Sequence, residues 1–217
     1  MSIYFDQLKY DSVIYFAKPC MLIFPKNPMP PFYTGIAQQQ SKNYQAAIVA
    51  YQKTISLENK NEALLGQVYA NMGDIYQNQG DYDKSDSCFE KSLVYQPDEA
   101  TTLNNYAYYL SLRKKKLKEA EIMSKKSLVL QPDSKSFLDT YGWIRYKQGE
   151  YEDARKYIEK AIQAGGEEDG TLFHHLGDVL YKLGQQSKAL ENWKKAKEKG
   201  ENSPELLKKI KEGKHAE

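Results

Sequence analysis

The feature that most constrains this 217-residue chain is a ladder of like side chains at a nearly constant interval. Tyr10, Tyr44, Tyr82, Leu117, Tyr151 and Gln186 follow one another at steps of 34, 38, 35, 34 and 35 residues. Three residues further on, small side chains keep the same register: Val13, Ala47, Ser85, Ala120, Ala154 and Ala189. Next come a large slot, Ala17, Tyr51, Phe89, Ser124, Ile158 and Trp193, and another small slot, Cys20, Thr54, Ser92, Ser127, Ala161 and Ala196. Spacings of three and four residues put these slots on one stripe of an α-helix.

Upstream of each stripe lies a second helical pattern centred on a small residue, Gly35, Gly73, Ala107, Gly142 or Gly177, with apolar neighbours such as Met72, Tyr106, Tyr141 and Leu176. Each repeat is therefore a helix pair. Gly80, Gly149 and Gly184 suit left-handed caps between the two helices. Pro25, Pro97 and Pro132 end second helices, and Asp98 and Asp133 offer capping side chains for the next helix. The 38-residue step lengthens the first helix of the Gly73 repeat by about one turn. One extra residue in LRKKKLKEA makes a short protruding turn.

The segments LGDIYQNQGDYDKS, YGWIRYKQGEYEDA and LGDVLYKLGQQSKA resemble tetratricopeptide repeats, and the resemblance covers nearly the whole chain. It implies an all-α fold, a right-handed superhelical solenoid of antiparallel helix pairs, in which no pair buries its apolar face alone. The array divides into a partial N-terminal repeat (1–27), repeats at 28–61, 62–99, 100–134, 135–169 and 170–202, and a C-terminal capping helix at 203–217. The stretch from Leu103 to Trp193 is similar to the C-terminal repeats of bacterial envelope and lipoprotein members of the family.

In such solenoids the first helices line a concave groove that binds peptide segments. The helical phase opposite the packing slots puts Asn71, Asp74, Asn104, Asn105, Tyr108, Asp139, Trp143, Tyr146, His175, Asp178 and Tyr181 on that groove. Amides pair with both donors and acceptors of a ligand backbone, and aromatic rings give contact area at low entropic cost. The expectation is a non-enzymatic scaffold holding a protein or peptide ligand in the groove. The carboxylate clamp of some co-chaperone relatives is not matched, because Asp74 and Asp178 stand where that clamp needs positive charge.

A second reading uses the N-terminal face. Ile3, Phe5, Leu8, Ile14, Phe16 and the run Met21 to Phe24 form an apolar surface with no preceding repeat to cover it, suited to a homodimer or to a longer assembly. The N-terminus lacks the order of a secretory signal. A cytoplasmic location is expected, or a periplasmic or envelope one if the chain derives from an exported parent. The Lys-rich C-terminal helix, opened by Ser203 and Pro204, reads as a solvating cap.

Other chemistries find little support. His174 and Asp178 share a helix face, but no third ligand is spaced for tetrahedral zinc, and an Asp139–His175 hydrogen bond between adjacent repeats is the expected use of that histidine. Cys20 and Cys88 read as packing residues. No metal, cofactor or catalytic motif is expected. The net charge of +2 and a solvated basic turn at Arg113–Lys118 argue against nucleic acid, and a mean hydropathy of −0.75 without a long apolar run argues against membrane insertion.

Overall fold

The computed structural model describes residues 9–58 and 60–214, so Ile3, Phe5 and Leu8 lie outside the described residues. Among these residues the chain forms twelve α-helices and no strand. They fall into two compact units, Met1–Pro97 and Asp98–Glu217.

The N-terminal unit contains α1 (Tyr10–Ile23), α2 (Met29–Gln40), α3 (Tyr44–Leu57), α4 (Glu62–Gln79) and α5 (Tyr82–Tyr95). Prolines in the first turn of α2 cost no hydrogen bond, since the first amides of a helix have no intrahelical acceptor. The Asn61 side chain caps α4 by accepting from the amide of Leu64, and Gly80 closes it in the left-handed conformation at φ 77°. At 18 residues, α4 is the longest described helix. Its core combines Phe32, Tyr51, Leu64, Val68, Met72 and Ile75.

The C-terminal unit contains α6 (Ala100–Leu112), α7 (Leu117–Leu130), α8 (Lys135–Gln148), α9 (Tyr151–Ala161), α10 (Gly170–Lys182), α11 (Gln186–Glu198) and α12 (Pro204–Glu212). A π-helical turn, Ile162–Gly166, extends α9. The helices pair as α6 with α7, α8 with α9 and α10 with α11, and the first helices α6, α8 and α10 also pack on one another. The capping side chains differ from those the sequence suggests. Glu99 rather than Asp98 accepts from the first amides of α6, while Asp98 pairs with Lys126 at 2.5 Å. Ser134 rather than Asp133 is the N-cap residue of α8, and its backbone carbonyl, not its side chain, accepts from the amides of Phe137 and Leu138. The acidic and amide groups around Arg145 bind α8 to both neighbours, through Glu121 of α7 at 3.1 Å and Asp153 of α9 at 3.2 Å.

Close approach within each pair follows from complementary sizes. A Cβ on Gly35 would meet the ring of Tyr51 at 2.4 Å, one on Gly73 the ring of Phe89 at 2.9 Å, one on Gly142 the side chain of Ile158 at 2.8 Å, and one on Gly177 the ring of Trp193 at 2.3 Å. At the one step where the first helix carries a methyl group, Ala107, the slot in register with it holds Ser124, the smallest residue of that ladder except Ala17. Buried serines of the small slots also donate to first-helix carbonyls, Ser85 to Gly73 at 3.0 Å and Ser92 to Gly66 at 2.7 Å. Trp193 is completely buried and cannot swing aside. Gly177→Ala should therefore lower the stability of the C-terminal unit by about 2 kcal/mol through overpacking, seen as a lower urea midpoint by tryptophan fluorescence.

Candidate binding cleft on the first helices

The first helices carry a polar ladder of their own. Relative to the small central residue, the position three before it holds Asn104, Asp139 and His174 on α6, α8 and α10. The position two before holds Asn105, Thr140 and His175, and the position one after holds Tyr108, Trp143 and Asp178. Because successive first helices lie side by side, the three-before residue of one helix meets the two-before residue of the next.

The expected Asp139–His175 hydrogen bond is formed between α8 and α10, with Nδ1 at 2.9 Å and 3.0 Å from the two carboxylate oxygens. Burial disfavours charge on the His175 ring, but the adjacent Asp139 carboxylate outweighs it and raises its pKa above the ordinary 6.5. Trp143 stacks on the same imidazole at 4.0 Å between ring centres and on Tyr146 at 4.7 Å, and the Lys147 ammonium lies 4.2 Å from the centre of the indole.

One step further along, α12 supplies the partner. Lys209 has no exposed surface. Its ammonium lies 2.8 Å and 2.9 Å from the two oxygens of Asp178, 2.6 Å from Glu205 and 3.0 Å from Nε2 of His174. Trp193 also donates to Asp178, at 2.9 Å. Burial, with help from Lys209 and His175, lowers the pKa of His174 below 6.5 and favours a neutral ring whose nitrogen accepts from the ammonium. His174, Asp178 and Glu205 form the type of cluster that could hold a metal, with ligand atoms within 4.8 Å of one another. Here the chain's own Lys209 provides the cation. This corrects the solvating view of the C-terminal helix, because Leu206, Lys209 and Ile210 share the face that packs down.

The first step of the ladder is incomplete. Thr140 stands where the next repeat has His175, and it makes no hydrogen bond to the Asn104 oxygen. The side-chain oxygen of Asn104 is buried with no hydrogen-bond partner, and its amide nitrogen makes one long bond, 3.3 Å, to Asn105. The resulting cleft, about 240 Å³, is lined by Asn104 and Tyr108 of α6, Lys135, Ser136, Asp139 and Thr140 of α8, and Asp169, Thr171 and Leu172 at the start of α10. Burial, and then the charge of Asp139, raises the pKa of the Tyr108 hydroxyl.

The sequence placed eleven residues on an open groove, and the structure divides them. Trp143, Tyr146, His175 and Asp178 are buried by packing between α8, α10, α11 and α12, which corrects their reading as open contacts. Asn104 and Asp139 are buried but border the cleft, where half-buried Tyr108 joins them. Asn105 and Tyr181 are half-buried. In the N-terminal unit Asn71 donates to the Tyr51 hydroxyl at 3.1 Å, which in turn donates to Gln39 at 2.7 Å, and Asp74 is half-buried nearby on α4. Ser136, Asp169, Thr171 and Lys209 were not singled out by pattern. The signals were available: Thr140 breaks the ladder, and Lys209 sits three residues after Leu206 on an apolar face.

Helix pairs of this size and register define a repeat scaffold of the kind that serves in protein–protein interaction. A tetratricopeptide-repeat family model matches residues 69–209, and the chain belongs to that family. No curated protein matches the sequence. Among solved structures, a tetratricopeptide repeat protein from Parabacteroides merdae is 18% identical with a TM-score of 0.78, over 97% of this chain and 82% of that one. PilW, a type IV pilus biogenesis factor, is 22% identical with a TM-score of 0.74, covering 86% of this chain and 85% of its own. YrrB, described as having an unusual peptide-binding site, is 16% identical with a TM-score of 0.67, covering 90% and 97%. At these identities the likeness concerns the fold. Among the described residues, no helix is long and apolar enough to cross a membrane.

Two measurements test this arrangement. The raised pKa of His175 means that its contribution to stability is present below pH 6.5 and is lost as pH rises through its folded value, whereas that of His174 is present above pH 6.5 and is lost as pH falls through its lower folded value. Ring resonances followed by NMR should titrate above 6.5 for His175 and below it for His174, and Asp139→Asn should bring His175 down. Lys209→Met leaves a buried carboxylate at Asp178 and should cost about 3 kcal/mol, part of which Asp178→Asn restores in the double variant. An unchanged denaturation midpoint in Lys209→Met would contradict the buried pair.

Proposed function

We propose that this protein is a non-enzymatic interaction scaffold that docks a segment of a partner protein in the cleft formed by α6, α8 and α10. The observation that carries this reading is the unpartnered carbonyl of Asn104 beside that cleft. A buried acceptor without a partner costs about 1–3 kcal/mol, and a ligand donor would recover it after a small rotation of the amide. Asn105, Tyr108 and Asp139 complete a surface of amide, phenol and carboxylate suited to an extended peptide. The peptide-binding site named for YrrB, a protein of the same fold, is consistent with this use.

A second reading rests on α1 and the residue that follows it, where Tyr15, Leu22, Ile23 and Phe24 are exposed, Leu22 at 83% and Ile23 at 67%. In that reading the chain self-associates through α1.

One experiment separates the two. A photo-crosslinking amino acid is placed at exposed Ser136 or at Leu22 and activated in cells. Ser136 should give adducts with a discrete partner, and Thr171→Trp, which fills the mouth of the cleft, should reduce them at least about tenfold, the factor that 1.4 kcal/mol represents. Adducts from Leu22 alone, at twice the mass of the chain, would replace the cleft by the self-association reading.

A further inference from the structure

We infer that the cleft between α6, α8 and α10 is built to receive the ammonium of a lysine side chain from the partner, with Asn104 and Asp139 as its acceptors. This rests on the proposal that the cleft is the docking site, and it specifies what that site reads.

The argument comes from the polar ladder. At the last step the residue three before the central glycine, His174, receives a basic group, the ammonium of Lys209. At the middle step Asp139 receives the imidazole of His175. At the first step the equivalent residue is Asn104, and the short Thr140 gives it nothing. Two steps out of three are thus completed from within the chain by a nitrogen donor. The third is left with an acceptor that is only 6% exposed and bordered by a cleft.

The surroundings favour a cation. The cleft has two carboxylates, Asp139 and Asp169, and the second already caps the amide of Thr171 at 3.1 Å. Its one lysine, Lys135, directs its ammonium to the carbonyl of Gly165 at 3.3 Å. His175 sets Nδ1 against both oxygens of Asp139, at 2.9 Å and 3.0 Å, and since a carboxylate has about four lone-pair positions Asp139 keeps acceptor capacity, while Asp169 supplies the carboxylate charge that His175 does not meet. A backbone amide has one hydrogen and would satisfy Asn104 alone. An ammonium has three and can donate to more than one of the acceptors that line the cleft.

The test is a two-dimensional NMR titration of the full chain with short capped glycine–serine peptides that differ at one central residue: lysine, Nε-acetyl-lysine or glutamate. The lysine peptide should shift the Asn104 side-chain amide and the backbone amides of Tyr108 and Thr171. The other two should bind at least about fivefold more weakly, the size of an exposed charge contact. Asp169→Asn, which keeps a capping side chain, should weaken the lysine peptide by about the same factor. Asn104→Leu should abolish the response while leaving the rest of the spectrum in place. Equal shifts from the acetylated peptide would overturn the ammonium inference and leave the docking site intact. A lysine peptide silent at these resonances, with crosslinking at Ser136 positive, would overturn it as well. Silence in both experiments would remove the docking site itself.

Discussion

The contact of Gly177 with the indole of Trp193, and its counterparts at Tyr51, Phe89 and Ile158, sets how near two paired helices can lie. Large side chains seated against bare backbone replace many small contacts by one well-filled slot, as close packing in protein interiors requires. With that distance fixed inside each pair, neighbouring first helices come side by side, and their polar positions face one another in a constant register. The hydrogen bonds between α8 and α10 and the seating of Lys209 depend on that spacing.

The polar ladder carries a different kind of information from the apolar one. Apolar slots tolerate exchange among similar volumes, so Tyr51, Phe89, Ile158 and Trp193 can take equivalent places. A polar slot does not average in this way, since a donor without an acceptor at the right distance is a liability. Substituting Thr140 for the histidine found one repeat later therefore has a local and readable effect. It leaves Asn104 unmatched and opens space beside Asp139, while the packing of α6 on α8 is kept.

The helices were legible because their signal repeats. Small and large slots recur five or six times, and one unusual residue does not hide the period. The left-handed turns at Gly80, Gly149 and Gly184 were legible for the same reason. The site was only partly so. The Asp139–His175 bond followed from adding one helix phase to one repeat step. Trp143 and Asp178 sit in the same phase but are covered, because Trp193 donates to Asp178 from α11 and α12, which lies outside the period, folds back over them. Lys209 was hidden by composition. In a helix with lysines at 208, 209 and 211, charge alone does not separate the buried one from the solvated ones, and only the three-residue offset from Leu206 does.

The side chains that lend themselves to optical study are distributed unevenly between the two units. Trp143 and Trp193, the chain's two tryptophans, belong to Asp98–Glu217, and its two cysteines, Cys20 and Cys88, to Met1–Pro97. Cys88 is buried, and its thiol is pushed up to about 11, which leaves half-buried Cys20 as the more accessible thiol. Red-edge excitation of the indoles thus reports on one half of the molecule and a thiol-attached dye on the other. The chain can reveal whether its halves melt together or in turn without any residue being replaced.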